Sequence, residues 1–586
     1  MTDSALAEIQ DQNKTKGDKT MILVPEEQIR EYTDKGWWGK ETVIEKLYAR
    51  ATSIPGREAL VDPYNKKNLV GLEPMRMTYG QMTQAIDRMA LQFIELGIQK
   101  DDVIIVQLPN IIELTLTIFA ASRAGAVVSP IPVQWRAHEI IHAVDLTGAK
   151  IFVTSHNLLG VDHIDLARRG IGEKRSVKHY ITVGAGESSG ALRMSDILAM
   201  HTGDAAALAG RQPGANDVFT LCWTSGTEAT PKAVPRSHNH WIAISRAAVQ
   251  SFLPDQECVY LSLFPTINMA GLGAVLIPWV LTGGKMALHH PFDIGVFLQQ
   301  LVKEKIYYTL APPALLDSLA KSPQWAAMDK GDLKVIGSGS APLSTWMVKT
   351  FQNDFGIGIV NFFASNEGVA LYSSPSDFPS PEDRANYFPR FGGKDLEWAA
   401  GAVKGFQTRL VDPATEKEIV DTGIVGELRF AGPTIFPGYY KAPDLTEQAF
   451  DGQGYFRSGD LFSIEGEKKD KYLFQGRYKD LIIRGGVNIS PEEIETLVVA
   501  HPKVAEVAAV GYPDPRLGEK ICIVVVPKAG ETLTLEEINA FLAEKDIAKY
   551  KYPEILEIMT ALPRNPLGKI LKRDIREALK AKIQRS

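Results

Sequence analysis

The sequence predicts an α/β protein: a large N-terminal domain of two doubly wound α/β subdomains plus a small β-barrel, followed by a small α+β C-terminal domain. Three observations carry this. Short apolar runs alternate with helically spaced stretches through the first two-thirds of the chain. After about Ser374 the texture turns to Pro, Gly, Asp and short β-rich runs. From Lys479 onward strands and helices alternate over a stretch the size of a small domain.

The alternation opens with "DDVIIVQLPN", a buried strand behind charges, and "IIELTLTIFAASRAG", a helix stopped by glycine. "AVVSPIP", "HEIIHAVDLTG" and "KIFVTS" then read strand, helix, strand, the rhythm of a parallel sheet covered by helices. The rhythm recurs around the strands "DVFTLCW", "CVYLSLFP", "KIYYTLAPP", "LKVIGSG" and "IGIVNFFA". The longest apolar run, "MAGLGAVLIPWVLTGG", is short for a bilayer and contains Pro278, so it reads as a helix buried in a large core. "FQTRLVDP", "GELRFAG" and "KYLFQGR" are short strands of the barrel. In the last domain Ser490 before Pro491 and Glu493 signals a helix start. The strand pair "VAEVAAVGYP" and "KICIVVVP", a helix from Leu535 and a last helix after Lys569 follow. The expected division is a polar lead-in over 1–25, a large domain over 26–478 and a small one over 479–586.

A chain of 586 residues exceeds one core. Its 45% hydrophobic and 23% charged residues are those of a soluble globular protein, and a net charge of -6 gives a nucleic-acid partner no support. Three scattered cysteines, Cys222, Cys258 and Cys522, argue against disulfides or zinc and fit a reducing compartment. Cys222 reads as a buried strand residue, a nucleophile being the minor alternative. The N-terminus lacks an apolar signal region. The expectation is a cytoplasmic protein without a membrane span, monomeric or homodimeric.

The stretch "LCWTSGTEATPKAVPRSHNHW" breaks a buried strand into hydroxyls, glycine and a lysine. It is not a Walker A loop, since Pro231 precedes Lys232 and Ala233 follows. It still suits phosphate. Gly226 lets backbone N–H groups approach an anion, Thr224, Ser225 and Thr227 add hydroxyls, and Lys232 adds charge. Taken alone it reads almost equally well as a polar turn.

Further stretches shift that balance. In order, "TSGTEATPKAV", "GSGSAPL", "FFASNEG", "YFRSGD", "GRYKDLIIRGGVNISPEEIE" and "PRNPLGKI" resemble the adenylate-forming superfamily. That family contains acyl-CoA and aryl-CoA ligases, peptide-synthetase adenylation domains and beetle luciferases. The likeness runs from about Trp37 to Leu579. It implies a carboxylate attacking the α-phosphate of Mg²⁺-bound ATP, then a thiol displacing AMP. It also implies that the C-terminal domain is mobile and rotates about a hinge at Lys479 between the two steps.

The resemblance assigns roles residue by residue. Lys569 is the catalytic lysine that bridges carboxylate and α-phosphate. Glu367 is the second catalytic residue and the Mg²⁺-associated acid, with Thr227 beside the metal. Asp460 receives the ribose hydroxyls and Arg477 lies near ribose and phosphate. Gly339, Ser340, Ala341 and Pro342 wall the adenine, and Asn361, Phe362, Phe363 and Asn366 complete the nucleotide site. Phe363 reads equally as core packing. Gly485 and Gly486 line the path of the CoA pantetheine. Met269, Ala270, Gly273, Phe362 and Ala364 surround the acid, with Asn268, where the family often has His, as its polar contact.

The chain also departs from the family pattern. Glu228-Ala229 replaces a usual Thr-Gly, and Ala233 a usual Gly. Phe363 and Asn366 stand where Tyr and Thr are usual, so the phenol is absent and an amide replaces a hydroxyl. Small residues at Ala270, Gly271, Gly273 and Ala274 suggest room beside Asn268, while Phe362 shortens another wall. An aromatic, alicyclic or medium-chain acid fits such a pocket better than acetate. The expected function is an acid–CoA ligase. The alternative is an aryl-acid adenylation enzyme that loads a carrier-protein thiol, suggested by "IREYTDKGWWGKETVIEKL" and "VQLPN".

Overall fold

Val103–Gln107 is buried at every residue, as a strand covered on both faces must be. It lies inside a seven-stranded sheet of spatial order Ala233–Ser237, Val218–Trp223, Val127–Pro130, Val103–Gln107, Ile151–Ser155, His179–Val183, Leu192–Arg193. All neighbours run parallel except the Ala233–Ser237 edge. A second sheet has eight strands, in the order Ala370–Ser373, Gly358–Ala364, Val335–Gly339, Tyr308–Leu310, Val259–Ser262, Lys285–Leu288, Glu58–Val61, Arg76–Thr78. It is parallel inside and antiparallel at both edges. In the seven-stranded sheet the chain winds outward in both directions from Val103–Gln107; in the eight-stranded sheet it does so from Val259–Ser262, with the early strands Glu58–Val61 and Arg76–Thr78 added at one edge.

These coordinates are a computed structural model, which describes residues 21–583 except 173–174, 187–189, 201–204, 225–230, 254–257, 394–395, 399–404, 485–486, 546 and 565–569. Compact packing divides the chain into two units. The first holds both large sheets and reaches residue 407, with 431–456; the second takes 408–430 and everything from 457 onward. Lys479, the expected hinge, lies inside the second unit, in the 3-10 turn Tyr478–Asp480.

The second unit contains two sheets. One runs Lys471–Arg477, Phe456–Glu465, Val425–Ala431, Gln407–Val411, Glu418–Ile419. The other is built on the long hairpin of Val504–Asp514 and Gly518–Pro527, flanked by Ile482–Arg484 and Ile555–Ile558. Helices Pro491–Val498, Leu535–Glu544 and Lys572–Ile583 complete the α+β portion. Helix Pro491–Val498 begins where Ser490 signals, but without the expected cap: the Ser490 hydroxyl donates to Glu492 Oε2 at 3.2 Å instead.

The apolar run from Met269 is buried, as expected, but it is no uniform α-helix. Met269–Leu276 is π-helical and only Ile277–Thr282 is α-helical. No helix among the described residues is long and apolar enough to cross a membrane.

Candidate active site

The candidate motifs of the first unit follow the carboxyl ends of its strands, where ligands bind open α/β sheets. Thr224 follows strand Val218–Trp223, Asn268 follows Val259–Ser262, Ser340 follows Val335–Gly339, and the Glu367 turn follows Gly358–Ala364. The glycine loop closes at its neck. Thr224 N–H donates to the Lys232 carbonyl at 3.0 Å, and Lys232 N–H donates to Thr224 Oγ1 at 3.1 Å. Ser225, Gly226, Thr227, Glu228 and Ala229 lie outside the described residues. The Lys232 ammonium sits 5.0 Å from the centre of the Tyr439 ring, a cation–π contact.

Tyr439 also reaches the acid. Its hydroxyl donates to Glu367 Oε1 at 3.0 Å, while Phe436 N–H donates to the Glu367 carbonyl at 2.8 Å. One phenol thus touches both the lysine of the glycine loop and the candidate metal acid. Sequence reasoning passed over Tyr439, whose only signal is the "PGYY" turn.

Asn366 does not offer its amide outward. Nδ2 donates to the Trp223 carbonyl at 2.8 Å and Oδ1 accepts from Met269 N–H at 2.8 Å. Asn268 is similarly committed: its Oδ1 accepts from Ala270 N–H at 3.1 Å and Gly271 N–H at 3.3 Å, capping the π-helical turns. Its Oδ1 therefore shapes the backbone at the start of those turns. π-Helical turns of this kind recur at functional sites.

The expectation of room beside the small residues is corrected. A Cβ on Gly271 would strike the Pro265 carbonyl, and one on Gly273 would lie 2.7 Å from Met269 Sδ and 3.1 Å from the Trp241 ring. These glycines allow close packing and leave no void. Ala270 is half-buried, Ala274 is buried, and Ala364 is exposed at the end of its strand.

Phe362 and Phe363 project to opposite faces of their strand. Phe362 is buried edge-on against Tyr372, 5.1 Å between ring centres, and fills the space above Gly337. Phe363 stays half-buried, 6.0 Å from Phe388. Asn361 is buried, its Nδ2 shared between the Arg384 and Ala385 carbonyls at 3.3 and 3.1 Å. Gly339 packs its Cα against the Phe362 carbonyl, and Ser340 takes a left-handed φ of 74°. A non-glycine residue held there is strained, a frequent mark of a functional turn. Ala341 and Pro342 beside it are exposed.

In the second unit Asp460 is buried and opposes Arg477 across an antiparallel pair, with Arg477 Nε 2.9 Å from Asp460 Oδ1. Lys569, Gly485 and Gly486 lie outside the described residues. Among the described residues no cluster of three His, Cys, Asp or Glu could hold a metal. A single half-buried carboxylate nevertheless suits Mg²⁺, which keeps most of its waters and takes its remaining ligands from phosphate. The Cys222 thiol, fully buried, is pushed up to about 12 by burial and offers no nucleophile.

Beneath this site lies a buried basic layer. Arg236, His238 and His240 are fully or nearly fully buried. Burial holds the His238 imidazole down to about 3 and His240 well below its ordinary value, so both are neutral. The Arg236 guanidinium, drawn down to about 10 by burial, remains a cation at neutral pH.

A parallel-sheet pair with phosphate-suited turns on its carboxyl edges, and a carboxylate–arginine pair in a second unit, define a nucleotide-using enzyme of the adenylate-forming kind. The chain belongs to that family. The AMP-binding enzyme model matches residues 47–440, and the AMP-binding enzyme C-terminal domain matches 493–569. It is 28% identical to the medium-chain fatty-acid–CoA ligase of Escherichia coli, over 94% of this chain and 93% of that one. It is also 28% identical to the 2,3-dihydroxybenzoate-AMP ligase of Bacillus subtilis, over 95% and 97%. Its fold matches ATP-bound MatB from Rhodopseudomonas palustris with a TM-score of 0.75 at 24% identity, covering 92% of this chain and 99% of that one.

Proposed function

We propose that the protein is an ATP-dependent carboxylic acid–CoA ligase. The observation that carries the ATP step is the Lys232–Tyr439–Glu367 contact, which joins the lysine of the glycine loop to a carboxylate through one phenol. A substrate carboxylate oxygen attacks the α-phosphorus of ATP, the bond to the bridging oxygen breaks, and pyrophosphate leaves. The CoA thiolate, its proton lost to solvent, then attacks the acyl carbon and the acyl–phosphate bond breaks to release AMP. Activation is needed because a carboxylate is a poor electrophile.

Each residue has a part. Lys232 and the loop from Thr224 to Thr227 grip the phosphates that depart. Lys569 neutralises charge gathering between carboxylate and α-phosphate, where stabilisation is mostly electrostatic. Glu367, with Thr227, would hold Mg²⁺, which when bound offsets phosphate charge. Asp460 receives the ribose hydroxyls beside Arg477. Ser340 to Pro342 and Phe363 border the adenine, and the π-helical turns after Asn268 border the acid. The C-terminal domain turns at Lys479, withdrawing Lys569 and bringing Gly485 and Gly486 to the pantetheine.

A second reading, an aryl-acid adenylation enzyme that loads a carrier protein, is favoured by the likeness to the 2,3-dihydroxybenzoate-AMP ligase. A panel of carboxylic acids assayed for pyrophosphate release separates the two. The first reading expects AMP turnover to rise with CoA. Turnover that rises only with a phosphopantetheinylated carrier protein selects the second, and no acid-dependent pyrophosphate release defeats both.

A further inference from the structure

Arg236 has no part in the roles above, yet its position is costly. It lies fully buried on strand Ala233–Ser237, just after the glycine loop, opposite Thr220. Nη1 donates to the Thr434 carbonyl at 2.6 Å and Nη2 to the His240 carbonyl at 3.4 Å; the guanidinium lies 5.1 Å from the Trp241 ring. Nε has no hydrogen-bond partner, and among the described residues no carboxylate lies within ion-pair distance of the group, although the Glu367 carboxylate acts on it from further off. Burying a cation without a directly paired carboxylate disfavours folding, and a neutral side chain of similar volume would fill the space.

Three segments meet on this guanidinium. The Glu367 turn lies directly on it: a Cβ at Gly368, whose φ is 105°, would collide with both Arg236 Nη1 and the Thr434 carbonyl. The loop from Thr434 to Tyr440 is held at its start by Arg236, in its middle by the Glu367 carbonyl through Phe436 N–H, and by the Tyr439 hydroxyl on Glu367 Oε1. It is held at its end by Tyr440 N–H on the Ala233 carbonyl at 2.9 Å. Arg236 is therefore the floor under the contact between Glu367 and Tyr439, on the strand that follows Lys232.

We propose that Arg236 is a positioning residue for adenylation, fixing the Glu367 turn and the Tyr439 loop in register with the glycine loop. The inference rests on the ATP-dependent reading above. The test compares the full-length protein with Arg236→Lys, Arg236→Met and Gly368→Ala. Two readouts are used: amide hydrogen exchange at Phe436 and Tyr440 without nucleotide, and acid-dependent pyrophosphate exchange. Positioning predicts faster amide exchange in Arg236→Met, with kcat lower by about thirtyfold and the KM for ATP changed by less than about threefold. Arg236→Lys should recover to within about threefold of wild type. In a Glu367→Gln background, Arg236→Met should add less than about twofold, because the two act as one unit.

Losses that multiply in the double variant, or unchanged amide exchange and kcat in Arg236→Met, overturn the proposal. Should Arg236→Met fail to fold, Gly368→Ala, which drives Nη1 off the Thr434 carbonyl, carries the same expectations. A wild-type protein without acid-dependent exchange defeats the functional reading instead, and unaltered amide exchange in the variants then still overturns the role of Arg236.

Discussion

Asn366 bridges Trp223 and Met269, giving a hydrogen bond of 2.8 Å to the carbonyl of one and taking one of 2.8 Å from the N–H of the other. Trp223 ends the strand that leads into the glycine loop, and Met269 begins the π-helical turns proposed to border the acid. One amide thus ties the strand before the glycine loop to the π-helical turns, the proposed phosphate and acid sides of the site. Asn366→Ala removes both bonds and leaves two backbone groups unsatisfied, a cost of about 1–3 kcal/mol. Pyrophosphate-exchange kinetics should show the KM values for ATP and acid rising together, with kcat/KM lower by about 10- to 100-fold. A rise confined to the acid would break the proposed coupling.

Lys569→Ala should abolish acyl-adenylate formation but spare thiol transfer from an acyl-adenylate supplied ready-made. In its proposed role, its charge is needed only while negative charge gathers at the α-phosphate. Burst measurements of pyrophosphate and of thioester, run separately, check this. Equal loss in both steps would contradict a domain that uses different faces in turn.

The parallel strands were legible because both of their faces are buried, which makes Val103–Gln107 and Val218–Trp223 continuous apolar runs. The turns at Ser340 and Glu367 were legible as small or polar residues directly after such runs. Four features were hidden. The π-helical turns of Met269–Leu276 lack a distinct period in an apolar run. The glycines at 271 and 273 signalled space, yet their neighbours, Pro265 and Trp241, decide that they fill it. Phe362 and Phe363 look equivalent until strand alternation sends one into the core. Tyr439 and Arg236 act through partners some 72 and 198 residues distant in sequence, beyond any local pattern.

Lys66 should prove indispensable for folding rather than for chemistry. Its ammonium, wholly buried, lies 2.6 Å from Asp62 Oδ2 and 2.8 Å from Glu113 Oε1. Asp62 also accepts from Ile112 and Met75 N–H at 2.8 and 2.9 Å, pinning three segments of the first unit. Lys66→Met leaves two buried carboxylates against each other and should cost about 3–5 kcal/mol. Adding Asp62→Asn and Glu113→Gln should restore most of that. Urea unfolding of the single and triple variants measures both effects; a single variant as stable as wild type would sink the account.

Glu495 should make the second unit less stable as pH rises from 6 to 8. The residue lies on helix Pro491–Val498, where Oε1 accepts from Ala509 N–H at 2.6 Å and faces Lys572 Nζ at 2.9 Å. Burial is the largest influence and pushes the carboxyl up to about 7 from an ordinary 4.5; Lys572 opposes this and Glu492 adds to it. Between those two values the folded protein holds a proton that the unfolded chain has released. Folding then takes up a proton, so stability falls with rising pH until the folded carboxyl ionises near 7, and the penalty is constant above that. Over pH 6 to 8 the change is about 1 kcal/mol. Glu495→Gln cannot ionise and should flatten the dependence while the 3.2 Å contact from Lys572 to Glu492 remains. Calorimetric melting of both proteins at pH 6, 7 and 8 decides it: parallel curves for wild type and variant would show that this carboxyl is already ionised at pH 6.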